Sequence, residues 1–168
     1  MIVDRSVLPL ALSMLFVALA ADAHARSAFS SAHEVRLGQC IRHAAAGRTW
    51  LERTLWGLRD QEAGWVGAEI LNSNGTHDLG PLQINSSWIP KLAKLTSRSR
   101  YDVRFGLIND PCFNVQAARW IFLMGLSTTR DYWKAIGMYH SPTAWRQRQY
   151  SAFVAAKLRK RYGEAVFN

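Results

Sequence analysis

An amphipathic helix that runs into a turn-rich stretch sets the fold class of this chain. Leucines recur at helical spacing along Leu51 to Glu62, which predicts a helix with one buried face. The stretch from residue 72 to residue 85 follows, and its Asn74-Gly75 pair is a strong signal for a tight turn. The flanks of that turn are short, so the chain can hold only a small β-hairpin region beside its helices.

The segments around this hairpin region are predicted to be helical. The segment that Asp110-Pro111 opens is apolar almost all round, with Asp at the N-cap and Pro in the first turn, so it belongs at the centre of the core. The predicted fold class is therefore α+β, predominantly α-helical. The other predicted helices are Ala32 to Ala46, Ser86 to Leu95, Asp131 to Met138 and Thr143 to Tyr162.

The N-terminus has the pattern of a targeting segment. Val7 to Ala21 is an apolar run, and small-x-small cleavage sites end at Ala23 and Ala25. The run is shorter than the roughly 20 residues that a spanning helix needs, so a short membrane anchor is the weaker alternative. We expect residues 1–25 to be a signal peptide and residues 26–168 to form one exported domain, with no stable membrane insertion after cleavage.

The charge balance narrows the partners. The chain carries 21 Lys and Arg residues against 12 Asp and Glu residues, a formal net charge of +9. Such a surface favours a polyanionic environment, whether nucleic acid, anionic lipid or bacterial cell wall, although it also serves plain solubility. Export makes nucleic acid the least expected of these partners.

The two cysteines, Cys40 and Cys112, are an even number in a chain expected to be exported. This pattern favours one disulfide over two free buried thiols. The spacing is too wide for a Cys-x-x-Cys metal or redox motif, and the histidines show no metal-ligand spacing. We therefore expect neither a metal nor a cofactor.

Glu62 is the main chemical candidate. It falls on the same stripe as the leucines of its helix, and desolvation on an apolar face raises the pKa of a carboxyl group. A glutamate that stays partly protonated near neutral pH is what a general acid requires. The alternative is an ordinary solvated glutamate near a helix end.

Four sequence landmarks follow one another along the chain. They are Gln61-Glu62-Ala63-Gly64, Gly80-Pro81-Leu82-Gln83-Ile84-Asn85, Asp110-Pro111-Cys112-Phe113-Asn114-Val115 and Trp133-Lys134-Ala135-Ile136-Gly137-Met138-Tyr139-His140-Ser141. In this order they resemble the landmarks of the soluble, lysozyme-like lytic transglycosylases (the SLT-domain family). The similarity is to the small exported members that accompany secretion, conjugation and pilus machines.

The resemblance implies a lysozyme-like fold, location in the periplasm of a Gram-negative bacterium, and peptidoglycan glycan strands as substrate. Glu62 would cleave the bond between N-acetylmuramic acid and N-acetylglucosamine without water, giving 1,6-anhydro products. Gln83 would hydrogen-bond the sugar, and the Tyr139 hydroxyl would orient Glu62 or the N-acetyl group, unless Tyr139 is a core aromatic with a satisfied hydroxyl. Asn85 and His140 are weaker candidates. Components of a secretion, conjugation or pilus apparatus are the implied partners.

The landmarks also depart from the family pattern. Ala63 stands where the family has a serine that helps position the substrate, and Pro81-Leu82 stands where it has Leu-Met. Both departures can lower activity or shift substrate preference, and they leave open a non-catalytic wall-binding scaffold. Neither removes the acid.

Asp78 keeps a hydrolytic alternative open. If it faced Glu62 across a groove, the pair could act as a two-carboxylate muramidase. Turn chemistry favours the other interpretation, in which Asp78 bonds its own backbone beside a glycine. Trp65 or Trp88 could stack on sugar rings, although core packing is the default for tryptophan.

Overall fold

The computed structural model describes residues 32–167, and α-helices occupy most of them. A small antiparallel sheet interrupts the helices, which confirms the predicted α+β, predominantly helical class. In chain order the helices and strands are α1 (residues 32–45), α2 (Thr49–Glu62), β1 (Glu69–Leu71), β2 (His77–Leu79), β3 (Ile84–Asn85), α3 (Ile89–Thr96), α4 (Arg100–Asn109), α5 (Pro111–Thr129), α6 (Tyr132–His140) and α7 (Ala144–Tyr162). Short 3-10 helices occupy Ser86–Trp88 and Glu164–Phe167.

The chain divides into two units, Met1–Arg36 and Leu37–Asn168. Of the first unit only residues 32–36 are described, and they are helical. The predicted signal peptide, residues 1–25, lies outside the described residues. Within residues 32–167, no helix has the length and apolar character that crossing a membrane requires.

The sheet has the order β1-β2-β3 with antiparallel pairing throughout. Asp78 in β2 lies between Ile70 on one side and Asn85 on the other. The predicted turn joins β1 to β2, where the Asn72 N–H donates to the Thr76 carbonyl at 2.8 Å. The third strand extends the sheet beyond the predicted hairpin.

Helix α5 occupies the centre of the core, as its sequence predicts. Val115, Ala118 and Phe122 are fully buried, and the helix packs against α2, α4 and α6. The Asp110 side chain caps its first turn by accepting the N–H groups of Cys112 and Phe113. The predicted disulfide between Cys40 and Cys112 is present and ties α1 to the start of α5, an arrangement compatible with an exported protein.

Helix α4 is the element that the sequence pattern did not predict. Its buried face is narrow, because Val103 and Leu107 are fully buried while Tyr101 and Phe105 are exposed on the same two turns. Because apolar side chains occur on both the buried and the exposed face, the sequence lacks the one-sided apolar pattern from which a helix is predicted. The predicted segment Ser86 to Leu95 is also divided, since it forms a 3-10 turn followed by α3.

Candidate active site

A cleft of about 750 Å³ lies between the small sheet and the helices. Glu62, Gln83, Asn85 and Tyr139 all line it, so the structure brings four of the predicted site residues together. Trp88 also lines the cleft, whereas Trp65 does not and is largely exposed. Ala63 is exposed beside the cleft and is not part of its lining.

Glu62 reaches the cleft because α2 ends with it. The leucines at positions 51, 55 and 58 are fully buried, as the predicted stripe requires, and Glu62 continues their face into the cleft. Ala63 then adopts a left-handed conformation with φ 50°, and its N–H donates to the Arg59 carbonyl at 2.9 Å. This cap turns the chain sharply out of the helix immediately after the acid.

The surroundings of Glu62 favour its protonated form. Burial raises its pKa from 4.5 to about 7, and the negative charge of Asp78 adds to the rise. The Tyr150 hydroxyl donates a hydrogen bond to Glu62 Oε1, which opposes these effects by stabilising the carboxylate. A carboxyl group balanced in this way can release and recover a proton near neutral pH.

Tyr150 is the site residue that sequence reasoning missed. It lies on the buried face of α7 and is 4% exposed, so the pattern predicts a core aromatic. Its pKa lies well above the ordinary value, first because of burial and then because of the charge of Glu62. The available signal is that a buried tyrosine needs a partner for its hydroxyl, but the sequence does not say which one.

The structure corrects the favoured interpretation of Asp78. The residue belongs to β2, lines the cleft, and accepts a hydrogen bond from Asn85 Nδ2 at 2.9 Å. It is not a turn residue bonded to its own backbone, because the turn closes earlier, through Asn72 and Thr76. The cleft therefore contains two carboxyl groups, that of Glu62 at the end of helix α2 and that of Asp78 in strand β2.

Asn85 holds Asp78, the carboxyl group on the sheet, in place. Its Nδ2 donates both to Asp78 and, at 2.8 Å, to Thr76 Oγ1, while its Oδ1 accepts the Ser87 N–H. Sequence reasoning suggested contact with the sugar. These three bonds engage both ends of the amide, so the side chain positions Asp78.

Two glycines bring the loops around Glu62 together. A Cβ on Gly64 would lie 2.6 Å from Gln83 Nε2, and a Cβ on Gly80 would lie 2.5 Å from Asn114 Nδ2. Gly80 also has φ +69°, a conformation that side chains disfavour. The loop at Gly64 and the loop at Gly80, which belong to the first two landmarks, therefore pack closely against each other. This packing fixes Gln83 beside the end of α2.

Gln83 adopts a left-handed conformation with φ 47° within this approach. Its Nε2 donates to the Gly80 carbonyl at 2.8 Å, so the side chain folds back over its own turn. A non-glycine residue in this region is uncommon, and such strain clusters at functional sites.

Asn114 explains the third landmark. It is fully buried in α5, and its Nδ2 donates to the carbonyl groups of Leu79 and Leu107, each at 2.8 Å. Its Oδ1 accepts the Leu82 N–H at 2.9 Å. One side chain therefore joins the end of β2, the turn before β3 and the end of α4, and it supports the cleft without lining it.

Tyr139 lines the cleft, but its hydroxyl does not contact Glu62. It donates to the Leu82 carbonyl at 2.8 Å, and burial raises its pKa well above the ordinary value. The prediction that this hydroxyl orients Glu62 is wrong, because Tyr150 makes that contact instead.

His140 stacks face to face on Tyr150, with ring centroids 4.7 Å apart. Burial lowers the pKa of His140, Asp78 raises it, and Arg146 lowers it. The His140 ring thereby packs against Tyr150, whose hydroxyl bonds Glu62.

The described residues contain no group of three or more His, Cys, Asp or Glu side chains arranged to hold a metal ion. The arrangement of the cleft instead supports acid–base chemistry by carboxyl groups. No protein-family model matches the chain, and no curated protein matches it in sequence.

Proposed function

We propose that this protein is a peptidoglycan lytic transglycosylase that cleaves the β-1,4 bond between N-acetylmuramic acid and N-acetylglucosamine. The observation that carries the proposal is Glu62, a carboxyl group with a pKa of about 7 in a cleft that Gln83 and Tyr139 also line. A cleft of about 750 Å³ can accommodate sugar rings, and its polar rim suits hydroxyl and amide groups.

In the first step the protonated Glu62 donates its proton to the glycosidic oxygen. The bond from that oxygen to C1 of the muramyl sugar breaks, and the N-acetylglucosamine leaves with its hydroxyl restored. The positive charge that develops at C1 is shared with the N-acetyl group of the same sugar. The negative charge of Asp78, which lines the same cleft, stabilises it further.

In the second step Glu62, now a carboxylate, takes the proton from the C6 hydroxyl of the muramyl sugar. That oxygen attacks C1 and closes the 1,6-anhydro ring, and Glu62 is protonated again. Because the nucleophile is tethered to the sugar that it attacks, the reaction has the advantage of an intramolecular step. The Tyr150 hydroxyl holds Glu62 in place through both transfers.

A hydrolytic muramidase is the second candidate, and the position of Asp78 favours it. Asp78 lines the cleft with Glu62 and raises its pKa, so a second carboxylate is within electrostatic reach of the acid. In that mechanism Asp78 would act as nucleophile or base, and water would complete the reaction to give a reducing end.

The proposal extends to family and location. Membership of the lysozyme-like lytic transglycosylases, a lysozyme-like fold and export to the periplasm all rest on the four landmarks and the apolar N-terminal run. Opening of the wall for a secretion, conjugation or pilus apparatus rests on the resemblance alone.

Digestion of purified sacculi, followed by mass spectrometry of the products, tests the proposal. We expect muropeptides with 1,6-anhydro ends from the wild type and from Asp78→Asn. Reducing ends that disappear in Asp78→Asn would establish the hydrolytic mechanism instead. Tight binding to sacculi without any release of fragments would identify a wall-binding scaffold.

A further inference from the structure

The cleft has a single permanent cation among the described residues that line it, Arg146 in the first turn of α7. Its guanidinium lies 5.3 Å from the ring of the neighbouring Trp145. Within residues 32–167 it makes no ion pair with a carboxylate. An exposed guanidinium at the edge of a binding cleft is suited to a carboxylate supplied by a ligand.

A second, smaller pocket of about 150 Å³ adjoins the cleft and shares Glu62, His140 and Arg146 with it. Its volume is one fifth of that of the cleft, which suits a side group of the glycan strand better than the strand itself. Its remaining lining is formed by Gln61, Gln149, Tyr150 and Phe153. The pocket thus offers amide groups, an aromatic surface and one cation next to the proposed acid.

Arg146 lies near the proposed acid, because it lines both the side pocket and the cleft together with Glu62. His140 lines both spaces as well, and its ring stacks on Tyr150, which bonds Glu62. A ligand group held by Arg146 would therefore lie near the muramyl sugar whose bond Glu62 breaks.

We propose that this side pocket binds the substituent on muramic acid and that Arg146 pairs with a carboxylate of that substituent. The inference rests on the proposed function. N-acetylmuramic acid differs from N-acetylglucosamine by its lactyl ether, which carries a free carboxylate or a stem peptide with an acidic D-glutamyl residue. Gln61 and Gln149 suit the peptide amides, and Phe153 suits the alanine methyl group.

Arg146 is thereby the residue that distinguishes peptidoglycan from an uncharged glycan such as chitin. A chitin strand has the same backbone and N-acetyl groups but no anionic group to place beside the guanidinium. Only the anionic glycan gains the Coulomb attraction of this guanidinium, which water solvates when no ligand is bound.

Binding to the inactive Glu62→Gln protein, measured by calorimetry, tests this inference without turnover. The ligands are muramyl tetrasaccharides of three kinds: bare strands with the lactyl carboxylate, L-Ala-D-Gln strands with a free α-carboxylate, and strands with both glutamyl carboxyls amidated. We expect a carboxylate ligand to bind about three to five times more tightly than the neutral diamide, as for an ion pair at an exposed arginine. Comparison of the first two ligands identifies which carboxylate is bound.

Arg146→Gln is expected to remove this preference and to bind all three ligands like the diamide. Arg148→Gln is the matched control, because Arg148 lies two residues further along α7 and lines a different groove. In the active protein, Arg146→Gln should raise KM for charged strands and leave kcat nearly unchanged, since the pair forms in the ground state.

Equal binding of charged and neutral ligands by the Glu62→Gln protein, or an unchanged preference in Arg146→Gln, would overturn the inference. The proposed function fails separately, through the absence of glycan cleavage by the wild type. A protein that binds charged strands through Arg146 but cleaves none would retain this pocket and lose its catalytic role.

Discussion

The two walls of the cleft hold their carboxyl groups in opposite ways. The helical wall, formed by Glu62, Tyr139 and Tyr150, is largely buried, and its acid has one hydrogen-bond donor, the hydroxyl of Tyr150. The sheet wall, formed by Thr76, Asp78 and Asn85, is half-buried and polar, and its carboxylate accepts an amide N–H. One wall retains a proton, and the other supports a negative charge.

This difference assigns the chemical roles. Burial is the largest influence on the pKa of Glu62, so the helical wall supplies the proton donor. The charge of Asp78 acts on Glu62, on Tyr139 and on His140 across the cleft, so the sheet wall supplies a fixed electrostatic field.

The largest effect is expected for Glu62→Gln, which removes the proton of the helical wall. Glycan cleavage should fall at least about a thousandfold, because the general acid and the later base are the same group. The glutamine oxygen can still accept from Tyr150, so the fold should be retained, as circular dichroism can show. Glu52→Gln on the same helix is the control, and cleavage that survived Glu62→Gln at wild-type rates would exclude Glu62 as the acid.

Asn114→Ala should weaken the attachment of the sheet to helices α4 and α5. The change leaves the Leu79 and Leu107 carbonyls and the Leu82 N–H without their buried partner, which we expect to cost about 3 kcal/mol of unfolding free energy. Urea denaturation measures this. Asn109→Ala removes only an exposed side-chain bond to the Phe105 carbonyl, so it should cost much less. Equal losses in both variants would contradict the role of Asn114.

The sequence predicts the helical wall better than the sheet wall. Helical spacing locates Glu62, and its apolar face explains its burial and raised pKa, because both depend on one continuous segment. The position of Asp78 depends on strand pairing with Ile70 and Asn85. Both partners lie too far along the chain for a local turn rule to include them. Local turn chemistry therefore led to the wrong interpretation.

Tyr139 and Tyr150 show a second limit of sequence reasoning. Tyr150 lies on a predicted helix and Tyr139 directly follows one, both hydroxyl groups are buried, and the sequence does not distinguish their partners. The difference arises from tertiary packing: α7 packs against α2 and brings Tyr150 to Glu62, while Tyr139 meets the turn at Leu82. Neither contact has a signature in spacing or composition.

Glu62 should also make stability depend on pH. Its pKa is about 7 in the folded protein against 4.5 for the ordinary group, so the folded state holds the proton more tightly. Stability is therefore highest below pH 4.5, falls as pH rises to about 7, and is constant above that with respect to this group. The loss is on the order of 3 kcal/mol. Urea denaturation should show that Glu62→Gln has a higher free energy of unfolding than the wild type at pH 8 and an equal one at pH 4. A difference that does not change with pH would contradict this linkage to Glu62.

Tyr150→Phe tests the hydrogen bond within the helical wall. Because this bond stabilises the carboxylate, its loss should raise the pKa of Glu62 further. The alkaline limb of the activity profile, where Glu62 loses its proton, should move to higher pH. The rate at pH 6 should fall about tenfold as the acid loses its orientation. Tyr132→Phe is the control, since it removes a hydroxyl bonded to Thr54 away from the cleft. A limb that moves to lower pH would show that the bond does not favour the carboxylate.

The smallest effect is expected for Asp78→Asn, which removes the charge of the sheet wall and keeps its geometry, since the asparagine oxygen can still accept from Asn85. Without the negative charge, the pKa of Glu62 should fall, and the alkaline limb should move to lower pH. A transglycosylase should lose at most about tenfold in rate, because its nucleophile is the substrate's own C6 hydroxyl. A hydrolase that uses Asp78 as nucleophile or base should lose nearly all activity. Asp102→Asn on α4 is the charge-matched control, and the pH–rate profiles of both variants on one glycan preparation decide between the two mechanisms.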